Sequence, residues 1–195
     1  MLSAAEIARG VQGALGFLQR DHAAPLRFDN TMEACLRSFR VMALAAPLYA
    51  LYRLIYYASG TVTATADEME IVLAESVFYV VDWLLFPVIF YEVARRRGWL
   101  DRYPRYIGAL NWINLPATAI AVAGVAIESI APAVAIIVSL GLRALFFYWF
   151  LMTTRMVLGV NWPIAVVLLF VNWLPSLILS FVVERYLGVA IAMAG

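Results

Sequence analysis

The chain has 195 residues, of which 65% are hydrophobic and 14% charged, with a formal net charge of +1. A soluble domain averages about 45–50% apolar and about 25% charged residues, so the composition points to the membrane and excludes a disordered tail. Cys35 is the only cysteine, which excludes a disulfide scaffold, and the near-zero net charge gives no general attraction to nucleic acid.

All fourteen basic residues are arginines. GC-rich coding explains that bias, but with no lysine the chain has no Schiff-base, P-loop or general-base lysine. The expected fold class is all-α: a bundle of five transmembrane helices preceded by a short interfacial amphipathic helix. Residues 1–30 form the expected N-terminal segment and 31–195 the transmembrane domain.

The first twenty residues have no basic region followed by an apolar core, so no cleavable signal peptide is expected. They read instead as an amphipathic helix with Ile7, Val11, Leu15 and Leu18 at helical spacing. Gly10, Gly13 and Gly16 recur at every third residue. They form either a smooth stripe for close packing or a helix weakened by about 1 kcal/mol per glycine.

A membrane-crossing helix needs about 20 mostly apolar residues. Five stretches qualify: 34–57, 71–91, 106–127, 131–152 and 162–183. None shows the alternation of a membrane barrel strand. Eleven arginines fall on one side of these spans: Arg9, Arg20, Arg27, Arg37, Arg40, Arg95, Arg96, Arg97, Arg102, Arg105 and Arg155. The other side has only Arg185, and Arg53 and Arg143 lie within spans. Positive residues concentrate in cytoplasmic loops, which predicts a cytoplasmic N-terminus and an outer C-terminus, in a membrane such as the bacterial inner membrane. Trp99, Tyr103, Tyr106, Tyr148, Trp149 and Trp162 are expected to form an inner aromatic belt. Tyr52, Tyr56, Tyr57 and Tyr186 are expected to form the outer one. The run Arg95–Arg97, with Arg102 and Arg105, sets topology and could hold anionic lipid head groups.

Charges inside the bilayer cost at least about 2.5–3.5 kcal/mol each, so those that persist are informative. Asp82 in the second span and Arg143 in the fourth lie at matching depths, which predicts an ion pair. Arg53 and Glu75, near the outer ends of the first and second spans, form a second expected pair. Glu75 and Asp82 are seven residues apart on one helix face with Tyr79 nearby. These charges are either bridges that fix neighbouring helices or a proton or ion path built on Asp82.

Three Asn-Trp dipeptides occur, at 111–112, 161–162 and 172–173. Asn161 suits a helix cap and Pro163 a first turn. Asn111, Asn114 and Asn172 lie within spans beside Pro116 and Pro175. Proline frees the carbonyl four residues earlier, here those of Trp112 and Val171. This pattern fits kinked packing helices or a midplane binding site. Ala121, Ala123, Gly124 and Ala126, with Ser139 and Gly141, read as helix-contact surfaces.

A lone His22 with no cysteine partner makes no metal site and no triad, and no phosphate loop or HExxH motif occurs. No cofactor and no enzymatic activity are expected. Cys35 reads as a buried thiol or an acylation site.

The segment Asp101-Arg102-Tyr103-Pro104-Arg105-Tyr106, followed by Asn111-Trp112, is similar to sequences of bacterial Yip-like membrane proteins. The five-span layout over about residues 31–185 also resembles that family. The resemblance implies a five-helix membrane bundle without a known reaction. Missing catalytic chemistry, short loops and small-residue faces point to a non-enzymatic scaffolding or assembly subunit. It would pack against another membrane protein or a second copy, or organise lipid. The alternative is a small transporter or channel with a polar path around Asp82.

Overall fold

The computed structural model describes residues 2–60 and 62–191. Helix α1 spans Ala4–Leu18, α2 Met32–Ser38, α3 Arg40–Ala58, α4 Glu68–Arg97, α5 Tyr103–Ile130, α6 Ala135–Leu158 and α7 Trp162–Tyr186. Five segments are long and apolar enough to cross a membrane: Met32–Ala58 (α2 with α3), α4, α5, Pro132–Leu158 (a 3-10 turn with α6) and α7. The protein is an integral membrane protein. Large hydrophobic side chains on these helices face outwards, such as Ile136, Ile137, Ile178 and Phe181. Such a surface suits lipid rather than water.

The helices run past the predicted spans because polar residues extend them into the interface. Asp67 caps α4 by accepting from the Glu70 N–H at 2.8 Å. At the other end, Glu92 pairs with Arg95 at 2.9 Å and with Arg96 at 2.6 Å, one helical turn away.

Helix α5 is the hub. It packs against α1, α2, α3 and α6, while α7 lies between α6 and α4. The neighbour order α3–α5–α6–α7–α4 closes into a ring through side chains that join α4 to α3. Tyr79 on α4 donates to the Met42 carbonyl at 2.7 Å, and its ring stacks on Tyr49 with centroids 4.6 Å apart. The densest packing lies at the arginine-rich end, where Phe86, Phe90, Tyr106 and Phe150 form an aromatic cluster joining α4, α5 and α6.

Helix α1 docks on the bundle through its glycine face. A Cβ on Gly10 would fall 2.2 Å from the Trp112 ring. Gly13 and Gly16 are buried as well, so the stripe is a packing surface. The Trp149 indole donates to the Ala14 carbonyl at 2.8 Å, which anchors α1 to α6. The apolar stripe of Ile7, Val11, Leu15 and Leu18 remains partly exposed beside this contact.

At the opposite end, β1 (Val62–Thr63) pairs antiparallel with β2 (Ala190–Ile191), joining the α3–α4 loop to the segment after α7. Gly188 makes this closure possible. Its φ is +62°, and a Cβ there would lie 1.9 Å from the Thr65 hydroxyl.

The expected inner aromatic belt is corrected. Tyr106 and Trp149 are fully buried and Tyr103 nearly so, because their polar atoms bond within the fold. Tyr106 shares a hydrogen bond with Thr154 at 2.7 Å, and Tyr103 donates to the Pro87 carbonyl at 3.0 Å. Trp162 and Tyr186 are exposed as a belt requires. Gly124 fits the expected small-residue contact, since a Cβ there would meet Leu142 of α6 at 2.2 Å. Gly141 does not, because it faces open space.

Candidate functional site

Two polar centres lie inside the ring, and they differ in how completely they are satisfied. The first is built on Glu75 of α4, which is buried at 6% exposure. Its carboxylate is ion-paired with Arg53 of α3. It also accepts from Tyr49 at 2.7 Å and from Tyr57 at 2.9 Å. The Arg53 guanidinium lies over the rings of Tyr56, at 4.8 Å, and Tyr57, at 5.1 Å. The sequence placed Arg53 and Glu75 together but missed the two tyrosines, which follow from α3 alone. Tyr49, Arg53 and Tyr57 are four residues apart and so form one stripe.

The second centre is built on Asp82, and here the expected pairing fails. Asp82 and Arg143 do share a depth, since each sits 15 residues before the last residue of its helix, Arg97 and Leu158. Yet α4 packs along α7, and it meets α6 only further along, through Phe86 and Phe150. Asp82 instead lies within hydrogen-bonding reach of Ser176 on α7. Arg143 has no ion-pair or hydrogen-bond partner among the described residues.

Each charge lines its own cavity. Asp82 lines one of about 240 Å³ together with Tyr49, Asn114, Thr118, Asn172 and Ser176. Arg143 lines one of about 520 Å³ with Tyr52, Asn114, Glu128, Ser139 and Asn172. The cavities adjoin, because Leu110, Asn114, Phe150 and Asn172 border both. Neither Asn114 nor Asn172 makes a side-chain hydrogen bond among the described residues. Glu128 at the rim accepts from Ser139 at 2.8 Å.

Asn111 behaves differently from the other two amides. It is buried, accepts from the Trp83 indole at 3.1 Å and donates to Ser38 at 2.8 Å. It therefore ties α2, α4 and α5 together and has no free polar atom for a path. Sequence reasoning missed Ser176, Thr118 and Trp83. Ser176 follows Pro175 and Thr118 lies two residues past Pro116, so the helix-breaking prolines were the available signal.

The arginines expected to face lipid divide in the same way. Arg95 and Arg96 are engaged by Glu92 on the surface, and Arg97 is exposed. Arg102 donates to the Leu158 carbonyl at the end of α6, and Arg105 to the Phe28 carbonyl at 3.0 Å. Those two fasten loops rather than present a free charge.

A third cavity, of about 300 Å³, lies between α1, α2 and α5. Its arginines Arg9, Arg27 and Arg37 are balanced by Glu6, Asp29 and Glu33.

Comparison of the chain with family models, curated proteins and solved structures finds no match.

Proposed function

We propose that the protein is a membrane-embedded carrier or receptor for a small polar solute, with Asp82 at the centre of its site. The observation that carries this reading is an acid inside the bilayer with no base beside it, on a cavity lined by two uncommitted amides. Intramembrane acids of this kind mark ion and substrate pathways, and proline-interrupted helices carrying amides build midplane sites. The cavity volumes fall within, or just below, the usual range for small-molecule sites of about 300–1,000 Å³. The arginine asymmetry supports a cytoplasmic arginine-rich end and an outer β1–β2 end, as in a bacterial inner membrane.

The test is flux in proteoliposomes across a panel of cations, anions and small polar solutes. Uptake of at least one solute, lost in Asp82→Asn, is expected. No uptake of any solute would overturn the reading.

A scaffold that packs against another membrane protein or a second copy is the second reading. The exposed apolar faces of α6 and α7 favour it. It requires a larger complex in mild detergent, and a strictly monomeric species would remove it. The resemblance to Yip-like proteins is compatible with either reading, because it implies the five-helix layout and no reaction.

A further inference from the structure

We infer that the solute is a zwitterion, whose cationic nitrogen is held at Asp82 and whose anionic group is held at Arg143. This rests on the carrier reading of the same site and adds its substrate class.

Three observations converge on it. Asp82 and Arg143 carry opposite charges, and neither has an ionic partner among the described residues. They line two adjoining cavities rather than one shared contact. Asn114 and Asn172 border both cavities, and their amides can donate and accept along the space between the charges.

A simple cation would pair with Asp82 alone and leave Arg143, which is exposed at its cavity, unpaired. A simple anion would do the reverse. Only a ligand carrying both charges pairs with both residues at once, so it gains two charge-assisted contacts where a singly charged analogue gains one. The second intramembrane arginine shows the contrast. Arg53 already has Glu75 and two tyrosines, and its unpaired Nε is buried, so it is shut off from a ligand.

Two sources share this chemistry: a soluble amino acid with separated ammonium and carboxylate, and the ammonium–phosphate head of phosphatidylethanolamine. The experiment uses the full chain in nanodiscs. Binding is measured by calorimetry for glycine, 4-aminobutyrate and 6-aminohexanoate, and for butylamine and butyrate, at up to about 10 mM. At least one zwitterion is expected to bind at least about tenfold more tightly than butylamine or butyrate. Arg143→Gln should bring zwitterion binding down to that of butylamine, and Asp82→Asn should bring it down to that of butyrate. Arg143→Lys should restore the preference in part, which separates loss of charge from loss of folding.

Nanodiscs of phosphatidylglycerol alone, compared with nanodiscs containing phosphatidylethanolamine, identify the source. Weaker zwitterion binding in the second assigns the site to the lipid head group, and equal binding assigns it to the soluble solute. Equal binding of butylamine and the zwitterions, unaffected by Arg143→Gln, would overturn the inference and leave the carrier reading standing. Absence of zwitterion binding in phosphatidylglycerol nanodiscs would also overturn it, while flux of a singly charged solute through Asp82 would still support the carrier.

Discussion

The Arg53–Glu75 centre gives the sharpest stability prediction. Both side chains are largely buried, at 16% and 8% exposure. Replacing Arg53 with Leu leaves a buried carboxylate whose remaining donors are Tyr49 and Tyr57. Breaking a buried pair by removing one partner costs about 3–5 kcal/mol. The two tyrosine hydroxyls compensate part of that loss, so Arg53→Leu should fall near about 3 kcal/mol. Glu75→Leu leaves a guanidinium that cannot shed its charge, with only tyrosine rings and one hydroxyl beside it. It should therefore fall nearer the upper end, about 4–5 kcal/mol. Tyr49→Phe removes one hydrogen bond to a charge and should cost about 1–2 kcal/mol. The double variant Arg53→Leu with Glu75→Leu leaves no buried charge and should be more stable than either single charge variant. Unfolding in mixed detergent micelles, followed by tryptophan fluorescence, measures each value. A double variant as unstable as the two singles combined would refute the pairing argument.

Three further expectations can be checked on the same material. Gly10→Ala should release α1 from the bundle, because its Cβ falls inside the Trp112 ring. A loss of about 2 kcal/mol is expected from overpacking, while Gly141→Ala, which meets open space, should not destabilise. Glu6 is held below the usual carboxylate range, first by the Ser3 backbone N–H and also by Arg37. Its contribution to α1 is therefore complete above the unfolded value near about 4.3 and is lost as pH falls through the lower folded value. The protection factors of the α1 amides, which factor out the intrinsic pH dependence of exchange, should fall on acidification in the native chain, and Glu6→Gln should remove that dependence. Finally, Asp82→Asn and Arg143→Gln should change the stability of the ligand-free protein additively, within about 0.5 kcal/mol, because the two residues share no direct contact. A coupling well above that would restore the direct ion pair.

The spans were legible because the hydrocarbon imposes a length and a composition, and five apolar runs met both. The pairing of charges was legible only where the chain itself enforces adjacency. Arg53 and Glu75 flank a single loop between α3 and α4, so equal depth sufficed to bring them together. Asp82 and Arg143 also have equal depth. Depth is one coordinate, however, and the angular order around the ring is another. That order depends on α7 packing between α4 and α6, which no feature of Asp82 or Arg143 encodes. The glycine stripe met the same limit. Its surface is visible in α1, but the ring that fills it belongs to Trp112, about a hundred residues away in the chain.

The segment from Arg102 to Asn111 is committed to holding the helices together. Arg102, Tyr103, Arg105 and Tyr106 each bond to a different partner, at Leu158, Pro87, Phe28 and Thr154. Asn111 then uses both ends of its amide on Ser38 and Trp83. These residues are fully used in holding helices together, so changes there should read out as stability. Arg143, Asn114 and Asn172 make no side-chain hydrogen bond among the described residues, and Asp82 reaches only Ser176. Arg143 and Asn114 are exposed and Asp82 and Asn172 half-buried, open to a ligand, whereas Asn111 and Glu75 are buried and engaged. That contrast within one chain is the reason to place ligand recognition at the second centre and architecture at the first.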